Sequence, residues 1–379
     1  MNSNDARKPL VFDPELLSRC ISCGFCLPAC PTYRQTGDEA SSPRGRITLM
    51  RALQSGELGG DDPVLREQSS FCLGCRACEP VCPAGVQYGQ LLEQWRGHHW
   101  RGHRRPLLAR LVMLVASVRP LLGLLGWLRG AGRARQGAGT SHLMLGCFER
   151  GLFPKVSRAA LRLLPGLTVA RRQGCCGALH AHNGDPAAGE ELARRLGRRL
   201  PGTIVTTSGG CAAHLATVLG RERVRELSQE LAADSLGEVR VNGRRARVAL
   251  QDSCHLRNGL GVAEQPRALL RAVADYIELP NAGTCCGAAG TYSLLRPRDA
   301  RRLLDPKLEH IAKLNLDYVV TVNPGCLRQL DAGLRRTKSS ARAIHLAELL
   351  AQASVHVASR HIDVVAQGSE AGGDRARPG

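Results

Sequence analysis

Sixteen cysteines in the 379-residue chain are the residues whose type and spacing point most directly to chemistry. Eight of them form two C-x2-C-x2-C-x3-C-P runs, the spacing of two-cluster ferredoxins, in which the last cysteine of each run binds the other cluster. Three thiolates on a short loop can hold three corners of an iron–sulfur cube, and the fourth corner needs a ligand from elsewhere. The runs therefore predict two [4Fe–4S] clusters. Their predicted ligands are Cys20, Cys23, Cys26 and Cys82 for the first cluster, and Cys72, Cys75, Cys78 and Cys30 for the second.

Zinc is the competing interpretation of these runs, since CxxC pairs also form zinc ribbons. Zinc would need only two such pairs, so the third cysteine and the Cys-Pro ending of each run would stay unexplained. Gly24 and Gly74 lie inside the runs and suit a backbone that turns closely around an inorganic cluster. Iron is therefore the favoured prediction.

The other eight cysteines repeat one pattern twice along the second half of the chain. In each copy a single cysteine is followed by an adjacent Cys-Cys-Gly and then by one more cysteine. Because chance would have to produce this order twice, the repetition indicates a duplicated unit. The first copy contains Cys147, Cys175, Cys176 and Cys211, and the second contains Cys254, Cys285, Cys286 and Cys326.

These eight thiols are candidates for a further iron–sulfur or zinc centre. His214 or His255 could supply an additional ligand, although a lone histidine beside a cysteine is more often a polar surface residue, which is the interpretation we favour. The alternatives are a redox-active dithiol and buried cysteines that act as small apolar residues. Neither copy ends in a second CxxC pair, because Cys211 leads to His214 and Cys326 leads to Gln329. Metal ligation is favoured, and the identity of the metal stays open.

Secondary structure must bring these thiols together, and apolar patterning predicts it. Around the ferredoxin-type runs, residues such as Ile47, Met50 and Leu53 recur at helical spacing, which predicts an all-helical unit. In that unit, a helix after each Cys-Pro is expected to carry its cysteine to the other cluster. In the second half, apolar runs precede the single cysteines and alternate with amphipathic stretches, which predicts parallel βαβ units with the thiols at one sheet edge. These apolar runs are residues 142–145, 203–207, 247–250 and 318–322.

The predicted fold class is therefore α plus α/β, with an α-helical two-cluster ferredoxin domain followed by a duplicated α/β domain with parallel sheets. We call the two halves of that second domain the CCG repeats, after their Cys-Cys-Gly sequence. The predicted boundaries are 10–98 for the ferredoxin-type domain, 99–140 for a basic apolar connector, 141–240 and 241–351 for the two CCG repeats, and 352–379 for a flexible tail.

Composition narrows the possible functions. The chain is 43% hydrophobic and 22% charged, a globular balance. Aromatic residues make up only 3%, which disfavours a stacking platform for single-stranded nucleic acid, so no nucleic-acid partner is predicted. The first residues contain no apolar signal core, and the longest charge-free stretches inside the apolar region Leu107–Leu128, residues 111–118 and 120–128, are far shorter than the roughly 20 residues of a membrane span. A cytoplasmic protein is expected.

A basic segment joins the two halves of the chain. Between Gln94 and Phe148 there are nine arginines and no acidic residue, and the apolar stretch Leu107–Leu128 lies within it. Such a stretch either packs against the protein or a partner subunit, which we favour, or lies flat on an anionic membrane surface. Arg outnumbers Lys 47 to 5 along the chain, so the surplus of arginine can also reflect genomic composition.

Motifs for organic cofactors are missing. Neither G-x-G-x-x-G nor Gly-Lys-Ser/Thr occurs, so no flavin or NAD is predicted on this chain. Oxidation of an organic substrate needs such a cofactor before electrons can pass singly. A chain with at least two one-electron centres and no organic cofactor is therefore predicted to carry electrons from a flavin partner to an acceptor.

From about residue 18 to 350, the motifs resemble those of the iron–sulfur subunit of bacterial glycolate oxidase (glycolate dehydrogenase). Besides the ferredoxin-type runs, the resemblance lies in TGDEASSPRGRI, GCCGALHAHN, GTCCGAAGTYSLLRP and VNPGC. The departures are a shorter and more basic connector, an extra glycine before Cys211 and the sequence DSCH at Cys254. They put in doubt the roles of the second-half thiols.

This resemblance implies the electron-transfer subunit of an oxidoreductase complex that is not catalytic toward glycolate by itself. It implies two partners, an FAD-containing subunit that oxidises the hydroxy acid and a second flavin-type subunit, in a hetero-oligomer. Electrons would leave to a quinone or another membrane acceptor, with peripheral attachment to the cytoplasmic face of the inner membrane. Subunits of anaerobic glycerol-3-phosphate dehydrogenase and of heterodisulfide reductase combine similar motifs and are the alternatives.

Overall fold

The computed structural model describes residues 11–100, 105–117, 125–126, 128–131, 133–137, 140–171 and 173–353. Up to residue 100 the described chain is helical and contains no strand, as the sequence predicts. Four of its five helices begin with a proline, whose fixed φ suits the first helical position. The helices are α1 (Pro14–Ser18), α2 (Pro31–Thr36), α3 (Pro43–Ser55), α4 (Pro63–Phe71) and α5 (Tyr88–His99).

Helix α3 shows how the SPRGR sequence shapes the first cysteine loop. The Ser42 hydroxyl caps the helix by accepting a hydrogen bond from the Gly45 amide at 2.9 Å. A side chain at Gly45 could not fit, because a Cβ there would lie 1.9 Å from the Glu39 carbonyl oxygen. Arg44 then reaches back and donates to the Ser22 carbonyl at 3.2 Å. The motif therefore ties the start of α3 to the loop between the first two cysteines.

The expected helix after each Cys-Pro forms only once. Cys30 leads directly into α2, which begins at Pro31. Cys82 instead leads into a non-helical segment from Pro83 to Gln87, and α5 begins only at Tyr88. The prediction of a helix after Cys82 was wrong because Gly85 takes a φ of +62°, a conformation that ends regular helix.

The connector contributes helix α6 (Leu107–Ser117). Ala109, Met113 and Ala116 are buried and share one face of α6, which packs on the helices at 178–182 and 292–295. No helix in the described part of the chain is long and apolar enough to cross a membrane. Trp127, most of the apolar stretch after 117, and the tail from 354 onward lie outside the described residues.

The first CCG repeat is built on a three-stranded parallel sheet with β2 in the centre. Cys147 and Cys211 follow β1 and β2 and lie in the first turns of the next helices, as the βαβ pattern predicts. The strands are β1 (His142–Met144), β2 (Ile204–Thr206) and β3 (Val224–Glu226). The helices are α7 (Cys147–Leu152), α8 (Pro154–Leu163), α9 (Ala178–His182), α10 (Pro186–Arg199) and α11 (Gly209–Leu219).

The second repeat follows a short antiparallel hairpin, β4 (Arg240–Val241) and β5 (Arg244–Arg245). Its four strands are all parallel and run in the order β7-β6-β8-β9. They are β6 (Arg247–Leu250), β7 (Asp275–Tyr276), β8 (Tyr318–Thr321) and β9 (Arg342–His345). The helices are α12 (Glu264–Val273), α13 (Tyr292–Leu295), α14 (Pro297–Lys313) and α15 (Pro324–Arg336), with a π-helical turn at His255–Gly259. The fold class predicted from the sequence is confirmed.

The same structural reason explains why a glycine follows the two cysteines in each Cys-Cys-Gly sequence. Gly177 and Gly287 take φ values of +89° and +82°, a region that L side chains rarely adopt. A Cβ on Gly177 would lie 2.0 Å from the Gly189 carbonyl oxygen, and one on Gly287 would lie 2.6 Å from that of Ala300. Glycine therefore lets the cysteine pair turn tightly against the following helix.

The two repeats complete each other's cores. Asn323 of the second repeat accepts hydrogen bonds from the Ser208 hydroxyl and the Gly210 amide of the first, at 3.0 and 3.2 Å. The last described helical residues, 346–353, place Ala347 and Ala351 in the core of the first repeat. Leucines of the same segment pack in the core of the second repeat.

Candidate metal centres

A cavity lies among the cysteines predicted to hold the first cluster. Its wall contains Cys20, Cys23 and Cys26 of the first run together with Cys82 of the second. Cys78 also touches the cavity, and apolar side chains such as Ile47 close it. Cys26 also accepts a hydrogen bond from the Arg44 amide. Besides these thiols the wall contains the side chains of Ser22, Arg44 and Tyr88 but, among the described residues, no His, Asp or Glu, so thiols dominate the possible ligands, which suits iron and sulfide.

The thiols predicted for the second cluster lie together in the interior. Cys30, Cys72, Cys75 and Cys78 are all buried. Burial raises the pKa of Cys78 well above its usual value, and negative charge on Cys75, Cys72 and Cys30 raises it further. Cys30 of the first run is thus brought among three cysteines of the second run.

Arg46 lies between Cys30 and Cys72 and was missed by the sequence reasoning. It is fully buried and donates to the Gln68 carbonyl and the Thr32 hydroxyl, at 3.1 and 3.0 Å. It also hydrogen-bonds to Cys30. A buried guanidinium here offsets the charge that four thiolates would bring into the interior. The PRGRI motif could have suggested it, although the spacing alone does not show that Arg46 points inward.

The first set of thiols faces solvent, whereas the second set does not. Among the sixteen cysteines, all of which the structure describes, Cys23 alone is exposed. Ile21 and Phe25 flank it and are 67% and 66% exposed. The first set therefore forms the open end of the ferredoxin-type domain.

The four thiols of the first CCG repeat form one hydrogen-bonded row, because Cys175 and Cys176 also hydrogen-bond to each other. The sulfurs of Cys147 and Cys175 are 4.0 Å apart, and Cys176 donates to Cys211 at 3.1 Å. Hydrogen bonds from neighbouring side chains, of which the one from Cys147 has the largest effect, lower the pKa of Cys175 well below its usual value. His180 donates one of these hydrogen bonds. The sequence reasoning missed His180.

The second repeat pairs its thiols in the same way. Cys254 is hydrogen-bonded to Cys285, and Cys286 to Cys326. The hydrogen bond from Cys285, together with nearby His255, lowers the pKa of Cys254 to about 5 against the opposing effect of burial. Both repeats thus collect the four thiols expected of them.

Two charged groups distinguish the second repeat. Asp252 is buried just before Cys254 and accepts hydrogen bonds from Arg257 at 2.7 Å and from Arg267 at 2.9 and 3.1 Å. Lys307 is 3% exposed and donates to the Asn281 carbonyl at 2.6 Å. The hydrogen bonds with Cys285 and Cys326 lower the pKa of Cys286, and the charge of Lys307 lowers it further. The buried residues of α10, the helix that follows Cys176, are only glycine, alanine and leucine.

The second set of ferredoxin-type thiols borders the second repeat. Cys75 packs in one buried cluster with Cys285 and Tyr292, and Cys254 lies at its edge. Negative charge on Cys254 adds to the effect of burial in raising the pKa of Cys75. Asn258 donates to the Cys75 carbonyl at 2.9 Å and ties the two units together.

Arg96 joins the ferredoxin-type domain to the first repeat. It is 8% exposed and donates to the Cys72 and His182 carbonyls at 2.6 and 2.8 Å. His182 also contacts Glu93 at 3.0 Å, and burial lowers the pKa of His182 to about 4. The two domains therefore share a buried polar junction beside the second thiol set.

Comparison with known proteins agrees with this arrangement. Residues 16–86 match the 4Fe-4S dicluster domain family, and residues 142–216 and 248–331 match the cysteine-rich domain family. The chain is 33% identical to the probable glycolate oxidase iron-sulfur subunit of Bacillus subtilis (strain 168), over 91% of this chain and 95% of the relative. It is 31% identical to the glycolate oxidase iron-sulfur subunit of Escherichia coli (strain K12), over 83% of this chain and 90% of the relative.

The chain belongs to the glycolate oxidase iron–sulfur subunit family. The resemblance predicted from the motifs is confirmed. A more distant relative is a subunit of the fumarate reductase (CoM/CoB) of Methanothermobacter marburgensis, 28% identical over 89% of this chain and 72% of the relative. Iron–sulfur clusters therefore belong to the chemistry of this chain, as the dicluster family describes.

The two histidines considered as extra ligands lie in different surroundings. His255 Nδ1 lies 3.6 Å from the Cys254 sulfur, whereas His214 Nε2 faces the Gly189 carbonyl at 3.3 Å. Within the residues that the structure describes, no three Cys, His, Asp or Glu side chains meet at a point suited to a single metal ion. The four thiols of each repeat form a hydrogen-bonded row instead.

Proposed function

We propose that this chain is the electron-transfer subunit of a glycolate-oxidising complex. In this proposal a flavoprotein partner oxidises glycolate to glyoxylate, and electrons pass through this chain to a quinone or another acceptor. Family membership supports the proposal, since the relatives are named glycolate oxidase iron-sulfur subunits. When bound, [4Fe–4S] clusters transfer one electron at a time. The predicted domain boundaries and both flavin-type partners form part of the proposal.

The observation that carries the proposal is the mixing of the two cysteine runs. Cys82 shares a cavity with Cys20, Cys23 and Cys26, and Cys30 lies among the thiols of the other run. We assign four ligands to each of two clusters on this basis, the first with Cys82 and the second with Cys30. A zinc ribbon binds its metal through two CxxC pairs, so it does not require that each run place its fourth cysteine among the cysteines of the other run.

Exchange of the fourth ligands can be tested by pairs of variants. We expect Cys82→Ser and Cys20→Ser to remove the same electron paramagnetic resonance signal from anaerobically prepared protein, because both change the first set. Cys30→Ser and Cys72→Ser should remove the other signal. The assignment is wrong if Cys82→Ser instead affects the signal lost in Cys72→Ser, or if the native protein contains no acid-labile sulfide.

The two thiol sets suggest a direction for the electrons. Exposed Cys23 offers the approach for a flavoprotein, whereas Cys75 borders Cys254 of the second repeat. Buried Arg46 and Lys307 place positive charge beside the second set and the second repeat, and positive charge favours a reduced centre. The residues of this chain thus favour electron flow from the exposed end toward the CCG repeats.

The CCG repeats are proposed to hold a further iron–sulfur or zinc centre. Pairing of all four thiols in both repeats supports a shared role as ligands. We expect Cys176→Ser and Cys286→Ser to lower the iron or zinc content of the purified protein while the two ferredoxin-type signals remain. An unchanged metal content and stability would make these thiols packing residues.

A further inference from the structure

Tyr88 lies between the two sets of ferredoxin-type thiols. Its side chain is 3% exposed and belongs to the buried core that contains Cys72 and Cys78 of the second set. The same residue also lies in the wall of the cavity among the thiols of the first set. A single tyrosine therefore borders the sites predicted for both clusters.

The start of helix α5 fixes Tyr88 in this place. Tyr88 is the first residue of α5, because Gly85 keeps the segment before it out of helix. The Glu79 carboxylate accepts a hydrogen bond from the Gly89 amide at 2.8 Å, and its other oxygen accepts one from Arg76 at 2.8 Å. A carboxylate is favourable at a helix start, where the first amides have no partner within the helix. These contacts hold the first turn of α5 against the second cysteine run.

The hydroxyl of Tyr88 is placed to donate to a predicted cluster ligand. Although it is buried, it has no nitrogen or oxygen partner among the described residues, and the acceptor beside it is the Cys72 sulfur. Burial and negative charge on Cys72 raise the pKa of Tyr88 well above its usual value, so the hydroxyl keeps its proton. A buried hydroxyl without an acceptor destabilises a protein, so phenylalanine would suit this place better unless the sulfur accepts.

A donor to a ligand sulfur changes the energy of a reduced cluster. Reduction adds negative charge that spreads onto the ligand sulfurs, and hydrogen bonds to those sulfurs raise the reduction potential. Arg46 supplies positive charge in the same core, whereas Tyr88 supplies a neutral donor. The first set instead faces solvent at Cys23.

We propose that Tyr88 is a positioning residue for electron transfer within this chain. By donating a hydrogen bond to Cys72, it stabilises the reduced form of the centre that the second set would hold, and so favours movement of an electron from the first set to the second. Tyr88 keeps its proton, so one electron moves and no proton does. The inference rests on the two clusters of the proposed function, and it is independent of the organic substrate and of the final acceptor.

Redox titration of the variant Tyr88→Phe tests this proposal, because the variant removes the hydroxyl and keeps the ring. The two electron paramagnetic resonance signals of anaerobically prepared protein are assigned with Cys20→Ser and Cys72→Ser and followed against potential. We expect both signals to persist in Tyr88→Phe and the midpoint of the second-set signal to become more negative. The equilibrium constant for electron transfer from the first set to the second should fall roughly fivefold, as for loss of one neutral hydrogen bond. Tyr33→Phe is the matched control, since Tyr33 is half-buried on α2 of the same domain and outside the core that contains Cys72.

Electron-nuclear double resonance distinguishes a hydrogen bond from a packing effect. The second-set signal of the native protein should show protons that exchange in heavy water, and Tyr88→Phe should lose one of these couplings. The coupling from the Gly74 amide, which donates to the Cys72 sulfur at 3.4 Å, should remain. An unchanged second-set midpoint in Tyr88→Phe, a shift of the first-set midpoint instead, or loss of the second signal altogether would overturn the proposal. Absence of both signals from the native protein would overturn it together with the cluster assignment of the proposed function.

Discussion

Replacing Asp252 by Asn tests whether a buried ion pair holds the loop that carries Cys254. The carboxylate is 4% exposed and accepts three hydrogen bonds from two arginines. The variant keeps the shape of the side chain and removes its charge, so two arginines lose their common anion. The matched control is Asp275→Asn, since Asp275 is 53% exposed and 3.5 Å from Arg247.

The expected cost follows from the surroundings of each arginine. Removing one partner of a buried ion pair costs about 3–5 kcal/mol when the other charge stays buried and alone. Here Arg257 is 43% exposed and can be hydrated, while buried Arg267 keeps its 2.7 Å pair with Glu278. We therefore expect Asp252→Asn to cost about 2–3 kcal/mol of local stability, and Asp275→Asn under about 0.5 kcal/mol.

Hydrogen exchange read by mass spectrometry measures this effect where it arises, which a single unfolding transition of a multidomain chain does not. Amides of residues 252–260 should exchange roughly 30-fold faster or more in Asp252→Asn, since about 1.4 kcal/mol corresponds to a factor of ten. Helices α3 and α5 should exchange as in the native protein. Equal exchange of this segment in the two variants would refute the ion-pair argument.

Two further predictions concern the first CCG repeat. Burial raises the pKa of Glu226 to about 7, so the folded protein keeps a proton that the unfolded chain releases near the ordinary pKa of Glu. The contribution of Glu226 to the free energy of unfolding should therefore fall by at most roughly 3 kcal/mol between about pH 4.5 and 7 and stay level above pH 7. Urea midpoints at pH 5.5 and 8 should differ less in Glu226→Gln, and an equal difference would contradict this assignment. Gly177→Ala should lower the free energy of unfolding by more than about 2 kcal/mol and displace the neighbouring thiols. Gly166→Ala is the control, because nothing lies near a Cβ at Gly166, and it should change neither the thermal unfolding temperature nor the metal content.

Sequence spacing predicted the local parts of this fold well. The apolar positions of α3 and α5 gave the helical ferredoxin-type domain, and the longer apolar runs gave β1, β2, β6 and β8. The edge strands β3, β7 and β9 were not predicted, because each contains charged residues and no apolar run marks it in the sequence. The absence of a helix after Cys82 was not predicted, because it depends on the positive φ of Gly85, which the spacing does not show.

Residues that act across the fold could not be read from spacing. Arg46, His180 and Lys307 reach thiols that are distant in sequence or lie on other elements, so no local period marks them. The metal-binding role of the thiols was predicted because the spacing of the cysteines along the sequence is itself typical of iron–sulfur proteins. Pairing of the thiols inside each CCG repeat needed the three-dimensional arrangement.

The interlocking of the two CCG repeats has an evolutionary consequence. Because Ala347 and Ala351 lie in the core of the first repeat, that core is incomplete without the helical segment 346–353. Asn323 likewise bonds to the first repeat from the second one. A gene that carried the first copy alone would therefore encode an incomplete core, so selection on either copy acts on both.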